Sequence, residues 1–226
     1  MLQIIQNDPE VPPGNIIDHL TVPYAINRPY SGERLPEADQ ISALIVLGGA
    51  MGANDDARFP FLSDVKELIR QVVAQQIPYL GICLGGQLLA AALGAEVISN
   101  RWEEQGTLDV VLTEAGKTDP FFNGIAETFN TFQWHHDSFD LPAGCVLLAS
   151  SDACPHQAFR VGESAWGLQF HPEVTEKIIR AWCAWDRATA ERTGEFVADF
   201  YREEEKYRST AQRFLHNFLH SVIAPR

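Results

Sequence analysis

Three short apolar segments, none of which alternates polar with apolar residues, constrain the fold more than any other feature of the sequence. They are Leu2–Gln6, Ala43–Leu47 and Pro78–Ile82. Strands with this pattern are buried on both faces, as in a parallel sheet covered by helices. Between the second and third, Ser63–Gln76 repeats its apolar residues at helical spacing, which predicts a helix capped by Ser63. Strand, helix and strand in this order predict a βαβ unit with a right-handed crossover.

The middle and end of the chain follow different patterns. Four further strand-like segments are separated by short turns and predict an antiparallel or mixed extension of the sheet: Leu108–Thr113, Cys145–Ser150, Gln157–Val161 and Ala165–Phe170. After His171-Pro172 the pattern is helical, which predicts a C-terminal helical extension over about 174–226. We find no repeat, linker or shift in composition, so we expect a single domain over 1–226.

Charge and cysteine content exclude several classes of protein. The chain has 226 residues, with 17 Lys and Arg against 30 Asp and Glu, for a net charge of −13. That balance argues against a general nucleic-acid binder, which needs a basic face. No apolar run is long enough to span a membrane, and the N-terminus lacks the pattern of a signal peptide. Four cysteines without paired spacing predict free thiols and no metal site, so we expect a cytoplasmic protein.

Cys83 lies in the segment that carries the most chemical information. Gly81-Ile-Cys83-Leu-Gly85-Gly86 follows the third apolar strand and precedes a helix rich in Leu and Ala. Gly-x-Cys-x-Gly between strand and helix is the cysteine counterpart of a nucleophile elbow, in which the glycines permit a tight, strained turn. At the N-terminus of a helix the dipole favours the thiolate. The spacing favours a nucleophile, although a buried structural cysteine also fits this segment taken alone.

His171 is the histidine best placed to serve such a thiol. A thiol nucleophile needs a base, and the base needs a group that orients it. His171 ends an apolar strand and is followed by Pro172 and Glu173, whose carboxylate can reach one imidazole nitrogen across the turn. A lone histidine at a strand end is usually structural, but its combination with the cysteine elbow favours a catalytic interpretation.

Three motifs together resemble the class I (triad) glutamine amidotransferase family. They are Gly81-Ile-Cys83-Leu-Gly-Gly-Gln87, Gln169-Phe-His171-Pro-Glu173 and Leu47-Gly48-Gly49-Ala50. A fourth segment, Trp134-His-His-Asp-Ser-Phe139, is similar to one in the glutaminase domain of GMP synthase and in stand-alone chains of that type. The resemblance implies an α/β, three-layer, flavodoxin-like sandwich with a largely parallel central sheet and the active site at the carboxyl ends of its strands.

The resemblance also implies a role for each matching residue. Cys83 would attack the side-chain amide of glutamine to form a thioester, His171 would carry the proton to ammonia, and Glu173 would orient His171. The backbone N–H groups of Gly49 and Leu84 would hold the oxyanion.

Substrate binding would fall to a second set of residues. The resemblance implies that Gln87 contacts bound glutamine and that the loop of His135, His136 and Asp137 supplies backbone contacts to its amino-acid end. The family has glycine where this chain has His136, a residue less tolerant of positive φ. A γ-glutamyl peptide or another γ-glutamyl amide is therefore the alternative substrate, and a non-catalytic binding or regulatory module is a third hypothesis.

The sequence contains no signature of an ATP-dependent synthetase beside the glutaminase-like motifs. The chain has no GxxxxGK[ST] signature and no room for a synthetase domain, so an ammonia-accepting synthetase would be either a separate chain or absent. No cofactor, nucleic acid or membrane is expected, and a homodimer is left open. Asn100–Gly106 resembles the segment in which related chains carry Glu-x-Gly near the active-site rim, here Glu104-Gln105-Gly106. A polar loop before a strand is the favoured interpretation of this segment.

Overall fold

The computed structural model describes residues 1–219. The part of the predicted C-terminal helical pattern that follows residue 219 lies outside the described residues. The strands are β1 (Leu2–Ile5), β2 (Tyr24–Asn27), β3 (Ala43–Val46), β4 (Tyr79–Ile82), β5 (Val97–Ile98), β6 (Glu104–Leu112), β7 (Thr128–His135), β8 (Ser138–Phe139), β9 (Val146–Ser150), β10 (Ala158–Val161) and β11 (Ala165–Leu168). The α-helices are α1 (Ile16–His19), α2 (Phe61–Ala74), α3 (Leu84–Ala92), α4 (Glu114–Thr118), α5 (Glu176–Cys183), α6 (Arg187–Glu191), α7 (Thr193–Arg202) and α8 (Glu204–Asn217).

Nine of these strands form one mixed sheet in the order β2-β1-β3-β4-β11-β10-β9-β6-β7. The first five strands in this order run parallel. From β11 onward every pairing is antiparallel. The predicted α/β fold, with a parallel N-terminal part and a mixed extension, is confirmed.

Side chains of the parallel strands point alternately into two cores, which makes the molecule three layers thick. Ile45 packs in the cluster that contains Phe214 of α8. The next residue, Val46, packs with Leu88 of α3 on the opposite face. Because both faces are covered, these strands show no polar alternation, and this is the physical reason why the sequence predicts them well.

Two sequence predictions need correction. The helix after β3 begins at Phe61, directly after Pro60, so Ser63 lies inside it and donates a hydrogen bond to Asp56 instead of capping it. The interpretation of Asn100–Gly106 as a polar loop holds for residues 100–103 but is wrong for Glu104–Gly106, which begin β6 and pair with the end of β7. Pairing between long strands can hold a polar segment extended, which its composition does not predict.

The C-terminal helices belong to the body of the molecule. Trp182 of α5, Phe196 of α7 and Tyr207 of α8 are buried in one cluster with Phe132 and Trp134 of β7. Their aromatic stripe therefore lies in the core, although Trp185 is 38% exposed. Within residues 1–219, no helix combines the length and the apolar character needed to cross a bilayer.

Candidate functional site

Three adjacent parallel strands carry the predicted site residues to one edge of the sheet. β3 is followed by Gly49, β4 by Cys83 and β11 by His171. Since Ile82 and Leu168 are register partners, Cys83 and the Gln169–His171 segment leave the sheet at the same level. Carboxyl ends of parallel strands are where α/β sheets bind ligands.

The turn at Cys83 is strained and closely packed. Cys83 has φ +50° and ψ −107°, a conformation that costs a non-glycine residue roughly 1–3 kcal/mol. A Cβ on Gly85 would lie 2.0 Å from the carbonyl oxygen of Val46, and one on Gly86 would lie 2.5 Å from that of Leu168. The two glycines therefore let α3 begin directly against the sheet, which holds the sulfur at the N-terminus of the helix.

His171 and Glu173 form a buried pair beside this sulfur. Nδ1 of His171 lies 2.6 Å from Oε1 of Glu173, and the imidazole also hydrogen-bonds Cys83. Burial disfavours the imidazolium, but the negative charges of Glu173 and Cys83 outweigh burial and raise the pKa of His171 to about 10. The raised pKa favours the imidazolium form of His171 beside the sulfur.

Two aromatic residues from the C-terminal helices hold His171 in place. The indole of Trp182 packs edge-on against the imidazole with ring centres 4.7 Å apart, and its Nε1 donates to the carbonyl of Glu10 at 2.9 Å. The buried hydroxyl of Tyr207 is 3.0 Å from the carbonyl oxygen of His171 and 3.1 Å from that of Val174. The sequence marks both aromatic residues only as part of an apolar stripe.

Gly49 and Leu84, the predicted oxyanion donors, lie on adjacent segments of the backbone. A Cβ on Gly49 would lie 2.8 Å from the side chain of Leu84, so the two segments are in contact. Within the described part of the chain, neither backbone N–H donates to another group. The strand that leads to Gly49 is held by Asn7, whose side chain donates to the carbonyl of Leu47 at 2.7 Å.

Gln169 is a site residue that sequence reasoning left without a role. Its Nε2 lies 3.7 Å from the sulfur of Cys83, and its Oε1 accepts from Nε2 of Gln87 at 3.4 Å. Gln87 also donates to the carbonyl of Asp137 at 3.1 Å. A chain of side-chain amides thus joins the sulfur to the predicted substrate-binding loop. The only signal in the sequence is the position of Gln169 inside the motif that ends at Glu173.

The three residues of that loop have different environments. His135 is buried, Asp137 is half-buried and His136 is exposed and pairs with Glu103 at 3.1 Å. Ser99 and the backbone N–H of Asn100 bind the Asp137 carboxylate. His136 is not among the described residues with positive φ, so the side chain there adds no backbone strain.

Glu104, His135 and Cys154 place a carboxylate, an imidazole and a thiol within 4.8 Å of one another. These residue types can bind a metal, but each already has hydrogen-bond partners. Glu104 bonds His135, Ser151 and Gln157, while the Cys154 thiol contacts Ser138. We therefore describe this group as a hydrogen-bonded network, and the sequence prediction of no metal stays a prediction.

A cavity of about 280 Å³ opens at this edge of the sheet. Cys83, Gly49 and Gln87 contribute to its wall together with the loop His135–Asp137, while Trp185 and Asp186 close it from the segment after α5. A cavity of this size can hold a molecule of the size of an amino acid. The structure brings the predicted residues together, and it adds Gln169, Trp182, Tyr207 and Glu104 to them.

Known proteins resemble this chain in sequence. The profile described as glutamine amidotransferase class-I matches residues 17–180. YfeJ of Salmonella typhimurium, named as a glutamine amidotransferase-like protein, is 34% identical over 157 residues. The match covers 68% of this chain and 66% of YfeJ, so the chain spans just under two thirds of the length of that relative. One of the subunits of the glutamine-hydrolyzing GMP synthase of Methanocaldococcus jannaschii is 30% identical over 158 residues, which cover 67% of this chain and 77% of that relative.

Solved structures agree with these matches along almost the whole chain. A glutamine amidotransferase from Thermotoga maritima superposes with a TM-score of 0.87 at 29% identity, covering 97% of each chain. A glutamine amido transferase from Methylobacillus flagellatus gives a TM-score of 0.86 at 28% identity, covering 98% of this chain and 94% of that one. With a matching profile over most of its length and this shared fold, the chain belongs to the class I glutamine amidotransferase family.

Proposed function

We propose that the chain hydrolyses the side-chain amide of glutamine to glutamate and ammonia through a thioester on Cys83. The observation that carries this proposal is the contact of Cys83 with His171, itself 2.6 Å from Glu173, at the wall of an amino-acid-sized cavity. A nucleophile, an acid/base and an orienting carboxylate are the three groups that acyl transfer requires.

The arrangement supports hydrolysis in two stages, formation of a thioester on Cys83 and attack of water on that thioester. The sulfur of Cys83 attacks the amide carbon, and the N–H groups of Gly49 and Leu84 hold the negative oxygen. Each such donor typically lowers the barrier by about 3–4 kcal/mol. His171 gives its Nε2 proton to the leaving nitrogen, so the C–N bond breaks and ammonia departs. Water then attacks the thioester, His171 takes its proton, and glutamate leaves as the sulfur is regenerated.

Glutamate release from glutamine by the purified protein tests this proposal. We expect Cys83→Ala to lower kcat by at least about 10³-fold, since the nucleophile is lost. Cys145→Ala is the matched control, because Cys145 is half-buried away from the cavity, and it should keep full activity. A diazo-ketone analogue of glutamine should label Cys83 and no other thiol. Absence of both hydrolysis and labelling would leave the non-catalytic hypothesis in its place.

A separate synthetase chain is the partner that this function implies. The Methanocaldococcus relative is named as one of the subunits of a GMP synthase, which supports a chain that works beside another one. Ammonia released in the cavity would pass to that partner. Stimulation of glutamate release by a co-purified synthetase would support this partner, and identical rates with and without it would contradict it.

A second candidate function is hydrolysis of γ-glutamyl amides with larger leaving amines. It is favoured by a groove of about 800 Å³ next to the cavity, because Ala50, Met51 and Trp185 line both. Tyr30 and Phe59 add aromatic surface to this groove, which could hold the rest of a γ-glutamyl peptide. Comparison of kcat/KM for glutamine and for γ-glutamyl dipeptides separates the two functions. No turnover of the dipeptides would exclude this second function.

A further inference from the structure

Glu104 and His135 form a polar contact inside the molecule, directly behind the loop His135–Asp137. The two residues are 5% and 3% exposed, and Nε2 of His135 lies 3.2 Å from Oε2 of Glu104. No Lys or Arg side chain in residues 1–219 bonds to this carboxylate, whose other partners are Ser151 and Gln157. A buried carboxylate without a paired cation is costly unless it gains a positive partner or takes up a proton.

The hydrogen bonds around Glu104 favour a positive partner, the imidazole of His135. The carbonyl oxygen of Asp137 lies 3.2 Å from Nδ1 of His135 and can only accept, so Nδ1 must carry a proton. The side chains of Gln157 and Ser151 both donate to Glu104, which is the pattern of an ionised carboxylate. Nε2 then also faces an acceptor. Neutral histidine can satisfy only one of these two contacts, whereas the imidazolium satisfies both.

We propose that Glu104 and His135 are positioning residues that act as a buried ion pair to hold the substrate-binding loop. This inference rests on the proposed function, because that loop is where the amino-acid end of glutamine would bind. The carbonyl oxygen of Asp137 accepts from His135 and from Nε2 of Gln87, at 3.2 Å and 3.1 Å. With its other hydrogen directed to Gln169, the Gln87 amide keeps only Oε1 for a ligand.

The other titratable groups around Glu104 and His135 are neutral or already have partners. The Cys154 thiol is neutral, because burial raises its pKa. Arg101 interacts electrostatically with Cys154, but it forms a salt bridge with Asp140 at 2.7 Å. His156 bonds the carbonyl of Phe139.

The acidic groups of the loop and of its rim are also engaged elsewhere. The Asp137 carboxylate is bound by Ser99 and Asn100, and Glu103 pairs with His136 at the surface. The charge that faces His135 is therefore that of Glu104.

Steady-state kinetics of two Glu104 variants distinguish positioning from catalysis. Glu104→Leu removes the charge and the acceptor, and we expect KM for glutamine to rise about tenfold or more while kcat stays within about threefold. Glu104→Asp keeps the carboxylate that accepts from Gln157 and faces His135, so its KM should lie nearer to wild type than that of Glu104→Leu. Asp119→Asn is the control for loss of a buried carboxylate, since Asp119 bonds Arg160 and Trp166 away from the cavity. It should lower stability but not change KM.

The protonation state of the His135 ring can be measured by NMR, without an activity assay. In protein labelled with ¹⁵N-histidine, assigned with a His135→Gln variant, both ring nitrogens of His135 should carry a proton at pH 7.5. In Glu104→Gln only one should. If the wild-type ring carries one proton, or if Glu104→Leu lowers kcat and leaves KM unchanged, the proposal is overturned. Because the spectrum needs no turnover, failure of the protein to hydrolyse glutamine would count against the proposed function alone.

Discussion

Glu173 controls the proton on His171 through a 2.6 Å contact in a fully buried site. The pKa of His171, about 10, is raised above its ordinary value, so the imidazolium is present below that pH and is lost as the pH rises through it. In the proposed mechanism the imidazolium protonates the leaving nitrogen, so glutamine hydrolysis should decline on the alkaline side near pH 10.

Replacement of Glu173 by Gln should move this alkaline limb to lower pH. The variant loses the carboxylate charge that raises the pKa of His171, and kcat should fall by about 10²-fold or more because the ring is no longer oriented. A pH–rate profile of glutamine hydrolysis measures both effects. Glu176→Gln, three residues on in an ion pair with Arg180 at the surface, should have an unchanged profile. An alkaline limb that stays in place in Glu173→Gln would contradict this assignment.

Gln169 donates to the sulfur of Cys83, the proposed nucleophile. Gln169→Leu keeps much of the volume but removes the N–H and the acceptor for Gln87. A hydrogen bond to a charged group is worth about 1.5–3 kcal/mol, so kcat should fall roughly 10- to 100-fold. Alkylation of Cys83 by iodoacetamide should also slow, which is a readout independent of substrate binding. The exposed Gln71→Leu serves as control, and equal rates in both variants would leave Gln169 without a role.

At the scale of elements, the junction of α3 with the sheet depends on the absence of a side chain at Gly85. Its Cβ would lie 2.0 Å from the carbonyl oxygen of Val46, so Gly85→Ala must push the helix away from β3. Overpacking of this kind costs about 1–3 kcal/mol, and the displaced helix N-terminus should also reduce labelling of Cys83. Gly194→Ala is the matched control, because nothing lies within 4 Å of its Cβ. Denaturant unfolding of both variants measures the difference, and equal free energies would argue against the close approach.

The contact between α8 and the turn after β11 links the C-terminal helices to the candidate active site. Tyr207→Phe leaves the buried carbonyls of His171 and Val174 without their donor, at a cost of about 1–3 kcal/mol in the free energy of unfolding. We expect kcat to fall with little change in KM, since the substrate loop is not touched. Tyr201→Phe, whose hydroxyl bonds Glu176 at the surface, should change stability by less than about 0.5 kcal/mol. Equal effects of the two substitutions would show that α8 does not position His171.

At the scale of the whole molecule, the C-terminal helices share one core with the sheet. Phe214 of α8 packs with Ile4 and Ile45 of the parallel strands, and Trp182 of α5 packs with Phe132 of β7. We therefore expect one cooperative unfolding transition, with equal calorimetric and van't Hoff enthalpies. Two separate transitions would mean that the helical extension is a domain of its own.

The sequence by itself determined the parts of this protein that are encoded locally. The buried parallel strands can be recognised in the sequence by their apolar runs, and the turn at Cys83 can be recognised by its glycines. His171 and Glu173 lie two residues apart and meet across one turn, so the pair is visible in the order of residues. These features depend on neighbours along the chain, which is why pattern and spacing predicted them.

Only the tertiary structure decided which distant side chains support those residues. Gln169 reaches Cys83 across 86 residues, and Tyr207 reaches His171 across 36. Glu104 meets His135 because β6 and β7 pair in a particular register, although its segment has the composition of a loop. Strand pairing and helix docking depend on packing of the whole core, which no local pattern contains. The proposed reacting groups were thus predictable from the sequence, and the side chains that contact and position them were not.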